Sequence, residues 1–320
     1  MADSRYYAGV DIGGTGIKAA IVDEAGEPVV QAEIPTSLDG FHAVCLQIAQ
    51  LVDSMLERSG LDRDLLLGVG LGVPGYVDPK RGFVHESPNL GWRDVPLKDR
   101  IGELTGLPTE VENDANAAAF GEQWRGAGRG VQDMAMITLG TGVGCGIIAG
   151  GRIVHGTSGF AGEIGHMKVK PKSGEPCVCG KTGCLETTSS GLAILKAARA
   201  AMTRQSGSVL HRLAGASGKL TVKTVFDAAK DGDRAAEEAI GEAGFYLGVA
   251  LANFANLLNP GKIVIGGGIS AAADYFIPLI RESFNAFALD IVRENTAIVT
   301  ARLGNAAGFT GSARLIKERS

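Results

Sequence analysis

The 320-residue chain lacks any strong imbalance of charge: 31 Lys and Arg stand against 35 Asp and Glu, a formal net charge of -4. That leaves no basic field to draw nucleic acid or an anionic membrane, and it favours catalysis or small-molecule binding. Long apolar runs are missing as well. Met134 to Gly151 is the membrane candidate, with eighteen uncharged residues, but six are glycine and two are threonine, which argues against a spanning helix. Asp3, Arg5 and Asp11 precede any long apolar stretch, so no secretory signal is expected. No linker, low-complexity tract or block of like charge interrupts the chain. Cysteine is scarce and odd in number, five residues, which speaks against a disulfide framework and for a reducing compartment, the cytoplasm. Cys45 falls in a helical pattern and Cys145 in a Gly-rich run, and both read as buried thiols.

The remaining cysteines fall together. Glu163-Ile-Gly-His166 is followed by a short basic loop and by Cys177-Val-Cys179-Gly-Lys-Thr-Gly-Cys184-Leu-Glu186, with glycines at 174, 180 and 183 that let the backbone wrap tightly. One imidazole and three thiolates are a set that zinc selects, and four protein ligands leave no open position for a catalytic water. His166, Cys177, Cys179 and Cys184 are therefore expected to hold a structural Zn2+; a redox pair or plain buried thiols are the alternatives. A His bound through one ring nitrogen has the other fixed in direction, free to bond a ligand. With Glu163 and Glu186 bracketing the knot, the cluster suits a polyhydroxylated molecule.

Glycine, at 47 residues, marks the other features. Tyr7 to Val22 reads as strand, turn, strand around Gly13-Gly14-Thr15-Gly16. Such a turn offers backbone N–H groups and a hydroxyl to an anion, while Asp11 beside it could hold a hydrated Mg2+, and Lys18 is grouped with the same set. A plain hairpin is the other reading. Met136 to Ile148 repeats the pattern around Gly140-Thr141-Gly142-Val-Gly144. Two such units imply a duplicated domain whose turns face each other and clamp a nucleoside triphosphate. A dinucleotide fold competes through Gly144-x-Gly146-x-x-Ala149, but more strand follows there, where that fingerprint needs a helix. Later, Lys262-Ile-Val-Ile runs into Gly266-Gly267-Gly268, where a flat base could lie against backbone. Gly266-x-Gly268-x-x-Ala271 is a second dinucleotide fragment, yet its acid, Asp290, sits in a helical pattern, so adenosine is preferred to NAD.

Between these turns, Phe41 to Leu56 carries a helical apolar face that Ser59-Gly60 terminates. Leu65 to Val73 is a buried strand ending in Pro74-Gly75, and a loop with Ser87-Pro88-Asn89 follows; Gly75 and Asn89 are taken as substrate-binding because loops after strands carry function. Val111-Glu112 ends a strand and Asn113-Asp114 opens a helix to Trp124, where capping alone would also account for both residues. Gly191 to Met202 and Lys223 to Asn259 read as helices, Ala297 to Leu303 as a strand, and Gly308 to Arg319 as a closing helix.

Taken together, Asp-Ile-Gly-Gly-Thr at Asp11, Ser-Pro-Asn-Leu-Gly-Trp at Ser87, Glu-Asn-Asp-Ala-Asn-Ala-Ala-Ala at Glu112, Thr-Leu-Gly-Thr-Gly-Val-Gly at Thr138, Gly-Glu-Ile-Gly-His at Gly162 and the cysteine knot resemble the bacterial ROK family of sugar kinases, repressors and open reading frames, and most closely its ATP-dependent glucokinases. The resemblance covers nearly the whole chain. It implies an α/β, actin-like ATPase (ribonuclease H-like) fold, two α/β domains flanking a cleft, with the C-terminal helix returning to the N-terminal domain. The domains are expected at 1–113 plus 305–320 and at 114–304. It also implies that Asn113, Asp114, Glu163, His166 and Glu186 contact the sugar, that Asp114 is the catalytic base, that ATP and Mg2+ are used, and that the protein forms a homodimer or homotetramer.

The residues agree with this transfer. Phosphoryl transfer needs in-line placement, charge screening and a base for the hydroxyl proton. Asp114, at a helix N-terminus, is expected to be ionised at pH 7 and to act as a modest base. Some ROK members are repressors with an extra N-terminal DNA-binding segment, which does not fit ahead of Asp11. N-acetylmannosamine, N-acetylglucosamine and fructose kinases share every motif quoted, and some relatives use polyphosphate.

Overall fold

Alternation, buried runs and turn glycines resolve into thirteen strands and eleven helices in the computed structural model, which describes residues 5–215, 219–269 and 272–319. In order these are β1 (Tyr6–Ile12), β2 (Gly16–Val22), β3 (Pro28–Pro35), α1 (Phe41–Ser59), β4 (Leu66–Val73), β5 (Tyr76–Asp78), β6 (Phe83–Ser87), β7 (Trp92–Val95), α2 (Leu97–Thr105), β8 (Thr109–Asn113) and α3 (Asp114–Arg125). There follow β9 (Met134–Leu139), β10 (Val143–Ala149), β11 (Arg152–Ile153), α4 (Glu186–Ser189), α5 (Gly191–Arg204), α6 (Leu210–Ala214), α7 (Val222–Lys230) and α8 (Arg234–Leu258). The chain closes with β12 (Lys262–Gly266), α9 (Ala273–Phe287), α10 (Asp290–Asn295), β13 (Ala297–Thr300) and α11 (Ala307–Lys317). Ala271, which completes the second dinucleotide fragment, lies outside the described residues.

The chain divides into two units: Met1–Gln132, Gly146–Gly162 and Arg302–Ser320 form the first, and Asp133–Cys145 and Glu163–Ala301 the second. In the first, the sheet runs β3-β2-β1-β4-β8, with β1, β2 and β3 antiparallel and β1, β4 and β8 parallel. One face buries Val10, Ile12, Ile17 and Leu71 against Val44, Ile48, Val52 and Met55 of α1, all at most 1% exposed. The apolar face of α1 thus becomes core, and Gly60 ends the helix in the left-handed conformation that glycine adopts without strain.

The other face is covered by α11, whose Phe309, Ala313 and Ile316 pack on Tyr7, Ala20 and Val22. The approach is close enough to exclude side chains. A Cβ on Gly70 would lie 1.7 Å from the carbonyl oxygen of Ser312, and one on Gly311 would lie 1.7 Å from that of Ala117 in α3. The return of the last helix to the N-terminal unit, implied by the family resemblance, is therefore observed. The expected boundary between residues 113 and 114 is not, because α3 packs on α11 and stays with the first unit. Glu122 of α3, fully buried, accepts the N–H groups of Ala127, Arg302 and Leu303 at 2.7–2.9 Å and so fixes where the returning chain re-enters. Ser87 ends β6 rather than opening a loop, since β5, β6 and β7 make a small antiparallel sheet of their own.

The second unit repeats the theme. Its strand order β10-β9-β12-β13, with β9, β12 and β13 parallel, reproduces β2-β1-β4-β8, which is the duplication that the paired turns implied. Beyond Cys145, β10 continues into the first unit, where Ile148 pairs with Ile153 of β11. The Ala-rich α8 is buried along one side and stops at Asn259, which takes the left-handed conformation. The strand expected to reach Leu303 ends at Thr300, and a 3-10 turn at Gly304–Ala306 leads into α11.

Candidate active site

In the first unit the chemistry gathers where β8 meets α3. Asn113 is the N-cap: its side-chain oxygen accepts from the N–H of Ala115 at 2.9 Å and of Asn116 at 3.2 Å, and its Nδ2 donates to the Gly75 carbonyl at 3.2 Å. Gly75 has φ +112°, and a Cβ there would meet the Glu86 carbonyl at 2.2 Å, so glycine is required for this contact with Asn113. Asp114 is therefore not the cap. Its Oδ1 accepts the Ala115 N–H at 2.9 Å. Desolvation raises its carboxyl above the usual carboxylate range, outweighing the lowering by the Ala115 amide and Asn113. The helix terminus favours the ionised carboxylate, the basis for expecting a modest base ionised at pH 7, but burial is the larger effect.

Asp11, the next-to-last residue of β1, lies opposite Lys18 on β2. Burial first, then the charge of Asp114, push its pKa up to about 6, with Lys18 opposing. The turn beyond it is closed by the Gly13 N–H to the Gly16 carbonyl at 2.9 Å and pinned by Thr36, whose hydroxyl donates to the Gly13 carbonyl at 2.7 Å. Thr15 is exposed at its tip. Asn89 backs the turn, since a Cβ on Gly14 would touch the Asn89 carbonyl at 3.1 Å. Asp11, Gly13, Gly14, Thr15, Gly16, Lys18 and Asn89 thus form one neighbourhood.

Sequence reasoning missed one residue here. Glu112, only 2% exposed, accepts the Asn113 N–H and Asn116 Nδ2 through Oε1, both at 2.9 Å, and meets His155 Nε2 through Oε2 at 2.6 Å. A carboxylate on a buried strand demands a partner, and that was the available signal; nothing in the spacing points to a histidine 43 residues on.

In the second unit the tip Thr141-Gly142 is tied down from below. The Gly140 N–H donates to the Gly142 carbonyl at 3.0 Å, the Gly191 N–H at the start of α5 donates to the Gly140 carbonyl at 2.8 Å, and Glu186 accepts the Val143 N–H at 3.0 Å. Glu186 thus joins the turn to the α4 end of the cysteine knot. Gly266, Gly267 and Gly268 lie alongside: Gly266 pairs with Thr138, and Gly267, at φ +87°, sits so close to Leu139 that a Cβ would meet its carbonyl oxygen at 2.4 Å.

His166, Cys177, Cys179 and Cys184 bring one ligand atom each to within 4.8 Å of one another. The closest pairs, Cys177 Sγ with His166 Nδ1 and Cys179 Sγ with Cys184 Sγ, are 3.6 Å apart. Tetrahedral zinc with bonds of about 2.3 Å to sulfur places thiolates roughly 3.8 Å apart, so the donor set fits the ion. Gly183, φ +74°, lets the knot close on the Lys170 carbonyl, and Lys168 donates to the Cys184 sulfur at 2.7 Å. With Nδ1 turned to the thiolates, His166 Nε2 points toward Glu163, 3.8 Å away.

Comparison with known proteins follows the same lines. The sequence pattern described as "ROK family" matches residues 7–319. A glucokinase of Halalkalibacterium halodurans is 48% identical over 320 residues, all of this chain and 97% of that one. The crystal structure of a ROK family glucokinase from Streptomyces griseus, in complex with glucose and AMPPNP, superposes with TM-score 0.83 at 37% identity, over 98% of this chain and 99% of that one. A ROK family transcriptional regulator, homologous to the E. coli Mlc protein, matches at 30% identity with TM-score 0.87, over 98% of this chain but 78% of its own. The fold is that of the actin-like ATPases, and the chain belongs to the ROK family.

Proposed function

We propose that this chain is an ATP-dependent glucokinase that phosphorylates glucose at the 6-hydroxyl, with Asp114 as general base. The observation that carries the assignment of the base is the Asp114 carboxyl itself. It stands at the N-terminus of α3, leaves capping to Asn113, and has its proton affinity raised by burial. A carboxylate so tuned takes the hydroxyl proton more readily than an ordinary aspartate would. Asn113 orients the same hydroxyl, with its side chain already aimed by Gly75. Glu163, His166 and Glu186 hold the other hydroxyls, and Asn89 lies beside the sugar. A site that pairs each hydroxyl discriminates against sugars that lack or misplace one.

Backbone N–H groups at residues 13–16 and 141–142 take the phosphates, and Gly266, Gly267 and Gly268 take the adenosine. Mg2+ bound with ATP screens the phosphate charge during transfer. Asp11, with Lys18 across the hairpin, is the residue that would hold its hydration shell, and the raised proton affinity of Asp11 supports a site short of positive charge. His166, Cys177, Cys179 and Cys184 hold structural Zn2+, which aims His166 Nε2 at the sugar.

Use of ATP as donor supports a cytoplasmic location. Among the described residues no helix is long and apolar enough to cross a membrane. A homodimer or homotetramer is supported by the apolar side chains that α8 to α10 leave exposed, among them Leu257, Phe287, Leu289 and Ile291. Sugar phosphate formation measured over a panel of glucose, N-acetylmannosamine, N-acetylglucosamine and fructose, with ATP and with polyphosphate, tests the reading. Glucose with ATP should give the highest kcat/KM. A higher value for another hexose moves the specificity, preference for polyphosphate moves the donor, and sugar binding without turnover makes the chain a sensor.

A further inference from the structure

We propose that His155 is a positioning residue for this phosphoryl transfer: paired with buried Glu112, it sets the strand-to-helix junction that presents Asn113 and Asp114 to the sugar. The proposal rests on the kinase reading above.

Glu112 is the next-to-last residue of β8 and almost wholly buried. Its Oε1 grips the cap from both sides, accepting the Asn113 N–H and, one turn into α3, Asn116 Nδ2. These bonds are strong only while the acceptor is an anion. A buried anion persists only with a partner, and His155 Nε2 at 2.6 Å is the group that meets the other oxygen. Without the imidazole one oxygen of that buried carboxylate loses its partner, the side chain moves, its hold on Asn113 and Asn116 weakens, and the cap is free to shift. Asn113 also donates to the Gly75 carbonyl, so the displacement breaks the contact that aims its side chain at the hydroxyl. A misplacement of about 1 Å costs on the order of a hundredfold in rate. His155 also shapes its own loop, since its carbonyl accepts the Ala161 N–H at 3.1 Å.

The groups facing the imidazole are Glu112 from β8 and Lys80 from the turn after β5. The hydrogen bond to Glu112 raises the histidine above its usual range, against burial and Lys80, which lower it. The charged pair is therefore complete below the ordinary histidine pKa and lost as pH rises through the raised one. Deprotonated imidazole still donates from Nε2 in one tautomer, so activity falls to a lower plateau and not to zero.

His155→Ala and His155→Gln, made in the full chain, test this through kcat/KM for glucose from about pH 6 to 9, with thermal melts and the KM for ATP alongside. The Ala variant should lose at least about tenfold in kcat/KM for glucose, with the ATP KM within about twofold of wild type. The Gln variant keeps an N–H donor, so it should recover much of the loss and show no alkaline step. An Ala variant that folds and matches wild type overturns the proposal, as does a Gln variant that keeps the alkaline step or is no better than Ala. Should the Ala variant fail to fold, the alkaline step of the Gln variant decides alone. If wild type forms no glucose 6-phosphate from either ATP or polyphosphate, the kinase reading falls first and this proposal with it.

Discussion

Asp114→Asn separates catalysis from architecture because the structure assigns the cap to its neighbour. Asn113 continues to accept the Ala115 and Asn116 N–H groups in the variant, and the new amide oxygen can keep the 2.9 Å bond from the Ala115 N–H. What disappears is a charge at the helix N-terminus, worth about 0.3–1 kcal/mol there. The desolvation of that same charge disappears with it and is the larger effect, so at neutral pH the variant should be at least as stable as wild type. Glucose binding, read by calorimetry, should weaken by less than about tenfold, or 1.4 kcal/mol, because an amide still offers an acceptor and a donor. The chemical step, read by single-turnover phosphorylation, should fall roughly 10²- to 10⁴-fold with the loss of the proton acceptor. In wild type, kcat/KM should decline toward acid with an apparent pKa above the ordinary carboxylate value of about 3.9, and the variant should lack that limb. A variant that keeps more than about a tenth of wild-type kcat refutes the assignment, since that falls well short of a general base.

Cys184→Ser should remove one zinc ligand and loosen the segment that leads through Leu185 to Glu186, raising the glucose KM and lowering stability; native sugar affinity in protein shown by metal analysis to contain no zinc counts against the aiming of His166. Asp11 is ionised in the folded chain only above about pH 6, against an ordinary 3.8, so the folded state holds the extra proton between these values and stability falls as pH rises through that window. Asp11→Asn should then raise the stability of nucleotide-free protein at pH 8 by at most about 3 kcal/mol while abolishing activity, and the gain should vanish below about pH 4; a gain independent of pH would show another cause. Glu122→Gln puts an amide donor against backbone donors that now share a buried carboxylate, and should lower unfolding free energy by about 1–3 kcal/mol by urea titration. An unchanged midpoint would mean that water replaces the carboxylate at no cost.

Features written in local chemistry were legible in advance. The two glycine turns, the helix from Phe41 stopped at Gly60, the Asn113 cap and the cysteine knot all rest on residues within about 20 positions of one another, where spacing dictates geometry. The strands β5, β6 and β7 were not legible, because three to five residues between turn signals carry no period. The unit boundary was misplaced for a different reason. The closeness of Gly311 to Ala117 is a backbone contact between distant segments, and a glycine in a helix gives no notice of what it lies against. The pairing of Glu112 with His155 and the desolvation of Asp114 likewise depend on what folds around a residue, not on its neighbours in sequence.

The position of α11 has a consequence for synthesis. A ribosome releases the chain from its N-terminus, so β1, β4 and α3 are made well before the helix that covers them. Throughout that interval Tyr7, Ala20 and Val22 lack the cover of Phe309, Ala313 and Ile316, and the glycine-lined track along Gly9 and Gly70 is bare backbone. The first unit therefore finishes folding only after Ala307–Lys317 has left the ribosome, and a chain stalled before Ala307 presents a sticky half-sheet to chaperones and proteases. A nonsense codon just ahead of α11 would strike the oldest part of the nascent protein.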